Sequence, residues 1–353
     1  MSIAITKTEH SRLPEVDFDN LGFGEIFADH MLDVEYRHGA WQQPRIVPYG
    51  PFEIFPAMAT LHYGQAIFEG LKVFQAVDGR IHIFRPDRHH ARLNRSCRRL
   101  GIPEVSYELF LNGLLTLIHL DRAWIPAKRG ASLYIRPFIF ASEAFLGVRF
   151  AEQYRFMIIT SPVGAFFKEG INPIRLMTSG DYVRAVRGGL GAAKTPANYA
   201  ASLLPAAEAK KKGFAQVLWL DAIEHKYLEE AGTMNMFVYL GDELITPPLD
   251  GTILAGVTRD SVLQVARSWG MPVSERRMTI DELFAASAAG QLKEVFGAGT
   301  AAVISPVGMI EHQEEQIVIN DGKIGPLAQK LYAEITGIQY GAKADPFGWC
   351  HIV

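Results

Sequence analysis

A lysine set among small residues constrains this chain more than any other feature. Lys194 lies in Gly-Gly-Leu-Gly-Ala-Ala-Lys-Thr-Pro-Ala-Asn-Tyr, which runs from Gly188 to Tyr199. Thirty-six residues later, Glu230 stands in Glu-Glu-Ala-Gly-Thr-Met-Asn, Glu229 to Asn235. The fold has to carry an amine in a small-residue surround, with a carboxylate and a phenol available to the same chemistry. One lysine alone proves little, since most lysines are solvated surface charges. The segment also superficially resembles a phosphate-binding loop, but Ala193 stands where that motif requires glycine before the lysine.

At 353 residues the chain is long enough for two domains, each with its own core. A net charge of −3 gives no sequence-wide argument for nucleic acid or an acidic membrane. Basic runs are local: Arg85 to Arg99 holds six arginines, and Lys210 to Lys212 read as a solvated helix end. Cys97 and Cys350, far apart, make neither a disulfide framework nor a metal cluster, and fit a reducing cytosol. His62, His82, His89 and His90 lack partners at zinc spacing, so no metal is expected. Glu15, Asp17, Asp19 and Glu25 near the start argue against export or transit signals, and no stretch reaches the ~20 apolar residues of a membrane span. A cytoplasmic protein is expected.

Residues 1 to about 50 read as an irregular lead-in with short strands. The segment from Met58 starts as a loop and ends in a strand through Val73 and Phe74; Asp78-Gly79 then turns the chain into Ile81-His-Ile-Phe. Pro86-Asp87 opens a helix carrying Arg88, Arg92, Arg95 and Arg99 at helical spacing. Ser132 to Phe140 and Arg155 to Thr160 read as strands. The aperiodic, glycine-rich Gly164 to Arg187 marks a boundary. Beyond it come a helix over Ala197 to Lys212, strands at Ala215 to Leu220 and Asn235 to Leu240, a helix over Thr258 to Gly270 and a short strand at Glu294-Val-Phe. The chain reads as a two-domain α/β (α+β) protein: a smaller domain at 1–168, a loop at 169–181 and a larger domain at 182–353, with the interdomain cleft as the default ligand site.

Six motifs resemble those of the branched-chain amino acid aminotransferases, pyridoxal phosphate enzymes of fold type IV (the D-amino acid aminotransferase-like architecture). They are Leu61-His-Tyr-Gly-Gln-Ala-Ile-Phe-Glu-Gly-Leu-Lys, Tyr134-Ile-Arg-Pro, the lysine segment, Glu230-Ala-Gly-Thr-Met-Asn, Gly256-Val-Thr-Arg-Asp and Phe296-Gly-Ala-Gly-Thr-Ala-Ala, and the resemblance runs from about Asp33 to Trp349. It implies that Lys194 carries the cofactor as a Schiff base and moves the Cα proton, which needs an amine well below the unperturbed ~10.4. It places Glu230 at the pyridine nitrogen, keeping the ring protonated, and leaves Glu229 on the surface. Tyr199 would bond the cofactor's phenolic oxygen. Val257 and Thr258 at a helix start, with Thr300, would hold the phosphate. Arg92 is the resemblance's match for a phosphate guanidinium, though Arg88 and Arg95 sit on neighbouring faces and spacing does not choose among them.

On the substrate side the resemblance implies an apolar pocket from Tyr63, Phe68, Leu146 and Val148, some reaching across from a partner subunit. Arg136 would pair the distal carboxylate of glutamate or 2-oxoglutarate, and the Thr300-Ala301 backbone the α-carboxylate. Phe166 stands where relatives often carry tyrosine, removing a hydroxyl near the substrate. The segment after Thr300 has no Cys-x-x-Cys, so no thiol switch is expected. The implied protein is a homodimer whose partner subunit completes each site, transferring amino groups between leucine, isoleucine or valine and 2-oxoglutarate. Two rivals remain: another fold type IV enzyme (a D-amino acid aminotransferase or aminodeoxychorismate lyase) and a non-catalytic cofactor-binding scaffold.

Overall fold

The computed structural model describes residues 2–164 and 172–353; Phe166 lies outside the described residues. The chain groups into two compact units. The first holds Met1–Phe166, Ala193–Pro196 and Ile338–Val353; the second holds Phe167–Ala192 and Ala197–Gly337. Sequence texture divides the chain linearly, whereas two short segments here return to the first unit. Strand Cys350–Ile352 returns by pairing antiparallel with Ile81–Phe84.

The first unit is built on one mostly antiparallel sheet, in the order Ala4–Ile5, Arg45–Pro48, His30–Arg37, Tyr154–Val163, Ser132–Ala141, Leu71–Gln75, Ile81–Phe84 and Cys350–Ile352. Strand Ala66–Phe68 pairs with the other end of Ser132–Ala141, so Phe68 faces Phe138 in register. Asp78-Gly79 does form the expected turn between Leu71–Gln75 and Ile81–Phe84, with Gly79 at φ 82°. Helices Pro86–Leu100 and Tyr107–Leu120 cover the sheet, and Leu93, Cys97, Phe110, Leu114 and Leu117 interlock with Leu32, Val73, Ile135 and Phe156. Burial of this interleaved layer is the main stabilising term of the unit.

Strand His30–Arg37 lies inside the stretch that reads as an irregular lead-in, yet it is an eight-residue inner strand. Its polar residues hide it. Asp33 is 1% exposed because Arg155 grips it through Nε at 2.5 Å and Nη2 at 2.7 Å, while Arg45 adds a third bond at 2.7 Å. A buried carboxylate so fully paired behaves as a core residue, and alternation of apolar letters cannot report it.

In the second unit the strand order is Leu228–Ala231, Gln216–Leu220, Ile174–Thr178, Val303–His312, Leu292–Gly299, Met234–Leu240, Glu243–Thr246 and Val273–Glu275. Leu228–Ala231 pairs both with Gln216–Leu220 and with Met234–Leu240, which closes six strands into a ring. Leu176, Leu218, Met236, Val238, Val295 and Ile310 fill its core, joined by Leu283 of helix Ile280–Ala288. Helices Pro196–Lys211 and Val257–Ser268 start one residue earlier than the sequence patterns suggest. The strand expected at Glu294-Val-Phe extends over Leu292–Gly299. No described helix is long and apolar enough to cross a membrane.

Candidate active site

Backbone bonds fix Lys194 within the first unit. Its N–H donates to Ser96 Oγ at 2.9 Å, and its carbonyl accepts from the Phe68 N–H at 3.0 Å. The neighbouring Thr195 hydroxyl donates to the Ala66 carbonyl at 2.9 Å. The lysine is thereby tied to helix Pro86–Leu100 and strand Ala66–Phe68. Its Nζ lies 4.9 Å from the centre of the Phe68 ring, and the Arg136 guanidinium lies 4.7 Å from the same ring.

Burial, followed by the Arg92 guanidinium, pulls the Lys194 amine down to about 8; Glu69 and Tyr134 oppose that shift in part. At pH 7 an amine of that acidity is neutral in about a tenth of molecules, against roughly 3 in 10,000 for an ordinary lysine. The group is therefore poised as a nucleophile and base.

Arg92 is the buried arginine of its helix, 4% exposed, whereas Arg88 and Arg95 face solvent. It donates to both oxygens of Glu69, from Nε at 2.6 Å and from Nη2 at 2.9 Å, and His89 Nδ1 lies 2.8 Å from Glu69 Oε2. Burial alone would raise the Glu69 carboxyl, but Arg92 holds it far below the carboxylate range. Burial pushes His89 down. Glu69 belongs to the quoted Phe-Glu-Gly-Leu-Lys motif, yet only the fold reveals it as the partner of Arg92.

Arg136 donates from Nη2 to the Tyr134 hydroxyl at 3.0 Å, and its buried Nε has no hydrogen-bond partner among the described residues. A Cβ at Gly70 would overlap the Tyr134 hydroxyl, so glycine is required there. Phe68 is half-buried. Tyr63, Leu146 and Val148 are exposed, at 47%, 56% and 87%, and the Tyr63 hydroxyl donates to the Leu146 carbonyl.

The second unit carries the remaining candidates. The register Ala231↔Met234 leaves Gly232-Thr233 as a two-residue turn and sets Glu230 opposite Asn235. Glu230, 3% exposed, accepts at Oε1 from Asn235 Nδ2 at 3.0 Å and from the Leu254 N–H at 3.1 Å. Its Oε2 pairs with Nε of Arg184, a residue in a stretch where sequence periodicity gives no signal. Asn235 also donates to the Leu254 carbonyl at 2.9 Å, and a Cβ at Gly256 would overlap its Oδ1. Gly256 caps helix Val257–Ser268, so Glu230 and the first-turn residues Val257 and Thr258 form one connected block.

Thr300 and Ala301 occupy the hairpin turn between Leu292–Gly299 and Val303–His312. Val303, at φ 63°, closes that turn in a conformation β-branched residues rarely adopt, a strain often kept at functional loops. Tyr199 sits in the first turn of helix Pro196–Lys211. Glu229 is not on the surface: it is 5% exposed, and burial drives its carboxyl up to about 7. Leu228–Ala231 is hydrogen-bonded along both edges, which sequence does not disclose. Among the described residues no cluster of three histidine, cysteine or acidic side chains is arranged to hold a metal.

The amino-transferase class IV family model matches residues 66–310. A branched-chain-amino-acid transaminase of Bacillus subtilis is 50% identical over 335 residues, covering 94% of each chain. A branched-chain-amino-acid aminotransferase of Mycobacterium tuberculosis is 50% identical over 334 residues, covering 93% of this chain and 91% of its own. Among solved structures, the branched-chain amino acid aminotransferase of Escherichia coli superposes with a TM-score of 0.74 at 27% identity, covering 90% of this chain and 98% of its own. The T.th. branched-chain amino acid aminotransferase with pyridoxamine 5'-phosphate gives 0.74 at 28% identity, covering 90% and 97%.

The depressed amine carries a stability signature. In cofactor-free protein, Lys194→Met should be more stable than wild type near pH 7 by roughly 1–3 kcal/mol, since no charge is then buried. As pH rises from about 8 toward the unfolded lysine value, the unfolded wild-type chain keeps the proton that native Lys194 has lost. Wild-type stability therefore rises and the advantage shrinks. Urea midpoints at about pH 7 and about pH 9.5 check this; a pH-independent difference would refute it.

Proposed function

The chain belongs to the amino-transferase class IV family, and we propose that it acts as a branched-chain amino acid aminotransferase, moving the amino group of leucine, isoleucine or valine reversibly to 2-oxoglutarate. One observation carries the reading: a half-buried lysine amine drawn down to about 8, set beside an aromatic ring that also borders a guanidinium. That combination offers a nucleophilic amine, apolar surface and a carboxylate-binding fork together. A scaffold without turnover has no need of the depressed amine. The curated relatives favour the branched-chain class over other fold type IV chemistries.

The donor set suits pyridoxal phosphate. The Lys194 backbone and the buried carboxylate of Glu230 are each held by more than one bond, and Gly256, at the start of helix Val257–Ser268, lets Asn235 approach where any side chain would clash. Bound, the cofactor supplies an electrophilic aldehyde and an electron-accepting ring. Lys194 would hold it covalently and, once displaced, take the substrate Cα proton on Nζ and return it on the other side of the transfer. Glu230 would keep the ring nitrogen protonated, and Tyr199 would bond the phenolic oxygen. Val257, Thr258 and Thr300 would hold the phosphate with Arg92, whose charge Glu69 already shares; helix-start amides therefore carry much of the anion binding.

For the substrate, Arg136 would take the distal carboxylate of glutamate, since its buried Nε lacks a partner among the described residues and its head is held by Tyr134. Phe68, with Tyr63, Leu146 and Val148, would line the apolar pocket, and Thr300-Ala301 would bind the α-carboxylate. The exposure of Phe55, Leu61, Tyr63, Leu146, Val148 and Phe150 supports a homodimer. Their two segments are joined by the Met58↔Ala144 bridge and the Phe145 N–H to Ala57 carbonyl bond. Two free cysteines suit a cytoplasmic location.

Lys194→Ala should abolish leucine-dependent glutamate formation from 2-oxoglutarate, and turnover within tenfold of wild type would end this assignment. Arg136→Ala should lower kcat/KM for glutamate by about 10²-fold or more while changing leucine by less than about tenfold. Equal losses would point to structural damage instead. Sedimentation equilibrium should give twice the chain mass, and Val148→Asp with Leu61→Asp should shift it toward monomer. A wild-type monomer at micromolar concentration would remove the dimer reading.

A further inference from the structure

Each of the three guanidinium nitrogens of Arg184 has a partner inside the second unit. Its Nε pairs with Glu230 Oε2, Nη1 donates to the Thr252 carbonyl at 2.5 Å, and Nη2 donates to the Gly191 carbonyl at 3.2 Å. The side chains of Arg184 and Glu230 are 9% and 4% exposed. Gly191 makes this convergence sterically possible, because a Cβ there would overlap the Thr252 carbonyl. The guanidinium is thus locked by two backbone carbonyls from separate loops before it reaches the carboxylate. A planar fork held on three sides leaves Glu230 little rotational freedom.

The other oxygen of Glu230 is fixed independently. Asn235 Nδ2 and the Leu254 N–H both donate to Oε1, and Asn235 is itself tied to the Leu254 carbonyl, so this side of the carboxylate is held by a linked pair of donors. Charge adds a second constraint: Glu229, Glu230 and Asp250 lie close enough to interact, and Arg184 is the cation that offsets Glu229. Without Arg184, two adjacent buried carboxylates would repel, and Glu230 would lose its orienting partner.

We infer that Arg184 is a positioning residue that sets the orientation and the effective charge of Glu230 toward the cofactor ring. This rests on the reading that Glu230 faces the ring nitrogen. A carboxylate shared with a fixed guanidinium is a weaker, better-aimed anion than a lone one. Arg184 also offsets Glu229, but its route to the cofactor runs through Glu230, so its removal should mimic partial loss of Glu230.

The test uses the full-length protein with Arg184→Gln, Arg184→Lys, Glu230→Gln and the Arg184→Gln/Glu230→Gln pair. Three quantities are read: the dissociation constant for pyridoxal phosphate by titration of cofactor-free protein, the pH midpoint of the bound cofactor's visible band, and the single-turnover rate with leucine. Arg184→Gln should weaken cofactor binding and slow the half-reaction by about 10–100-fold, the range typical of residues that orient a functional group, with the KM for leucine within about threefold. The band midpoint should shift. Arg184→Lys, which keeps the charge but not the fork, should recover part of the rate. In the Glu230→Gln background the Arg184 change should add little, because both act through one group. Wild-type affinity and rate in Arg184→Gln, or losses that multiply fully in the pair, would overturn the inference. If Arg184→Gln does not fold, Arg184→Lys carries the test: an unchanged band and rate there would overturn it too. Should Glu230→Gln itself leave all three quantities unchanged, the reading of Glu230 fails, and this inference with it.

Discussion

The pairing of one short strand on both of its edges is the constraint from which the second unit follows. Leu228–Ala231 bonds to Gln216–Leu220 on one side and, through a two-residue turn, to Met234–Leu240 on the other. Closing the ring removes an exposed sheet edge. Successive residues of a strand point to opposite faces, yet Glu229 and Glu230 are both buried, so both faces of this strand are covered. Burial makes a carboxylate costly unless it is met by donors, and the neighbouring loops supply them for Glu230 but only partly for Glu229. The difference is visible chemically: Glu229, whose Oε2 has no partner among the described residues, is driven up to about 7, while Glu230 is surrounded by Arg184, Asn235 and the Leu254 amide.

The same rule recurs in the first unit. Asp33 is met by Arg155 and Arg45, and Glu69 by Arg92 and His89. Paired buried ions of this kind add little net stability, because desolvation consumes most of the Coulombic gain. What they confer is direction. Arg92 cannot turn without breaking two bonds to Glu69, and Arg184 cannot turn without abandoning two backbone carbonyls. Cationic groups that must meet anions at fixed positions gain more from such rigidity than from extra charge.

Several elements were legible from sequence because their local chemistry is unambiguous. The Asp78-Gly79 turn, the helix beginning at Pro86 and the helix after Lys194 all announce themselves through turn residues or spacing. Other parts were hidden for one physical reason: a polar residue made apolar-like by a distant partner. His30–Arg37 does not read as a central strand until Arg155, 122 residues after Asp33, neutralises it. Leu228–Ala231 contains two glutamates and no β-branched residue, so its strand character comes wholly from pairing. Arg184 lies in an aperiodic stretch, and its meaning appears only when Thr252 and Glu230 surround it. Motifs thus disclosed the chemistry, whereas partners separated widely in sequence stayed invisible.

The two units thus carry two different electrostatic devices. Around Lys194 the protein withdraws water and places a guanidinium nearby, so the amine gives up its proton at modest cost. Around Glu230 the protein concentrates donors on a carboxylate, so charge is retained and aimed. Exchanging them would fail on physical grounds: a lysine crowded by carboxylates would stay protonated and inert, and a glutamate left without donors would follow Glu229 upward. The segment carrying Lys194 has its backbone fixed by Ser96 and Phe68. A rigid backbone anchor with a partly neutral amine is what the role proposed for Lys194 requires.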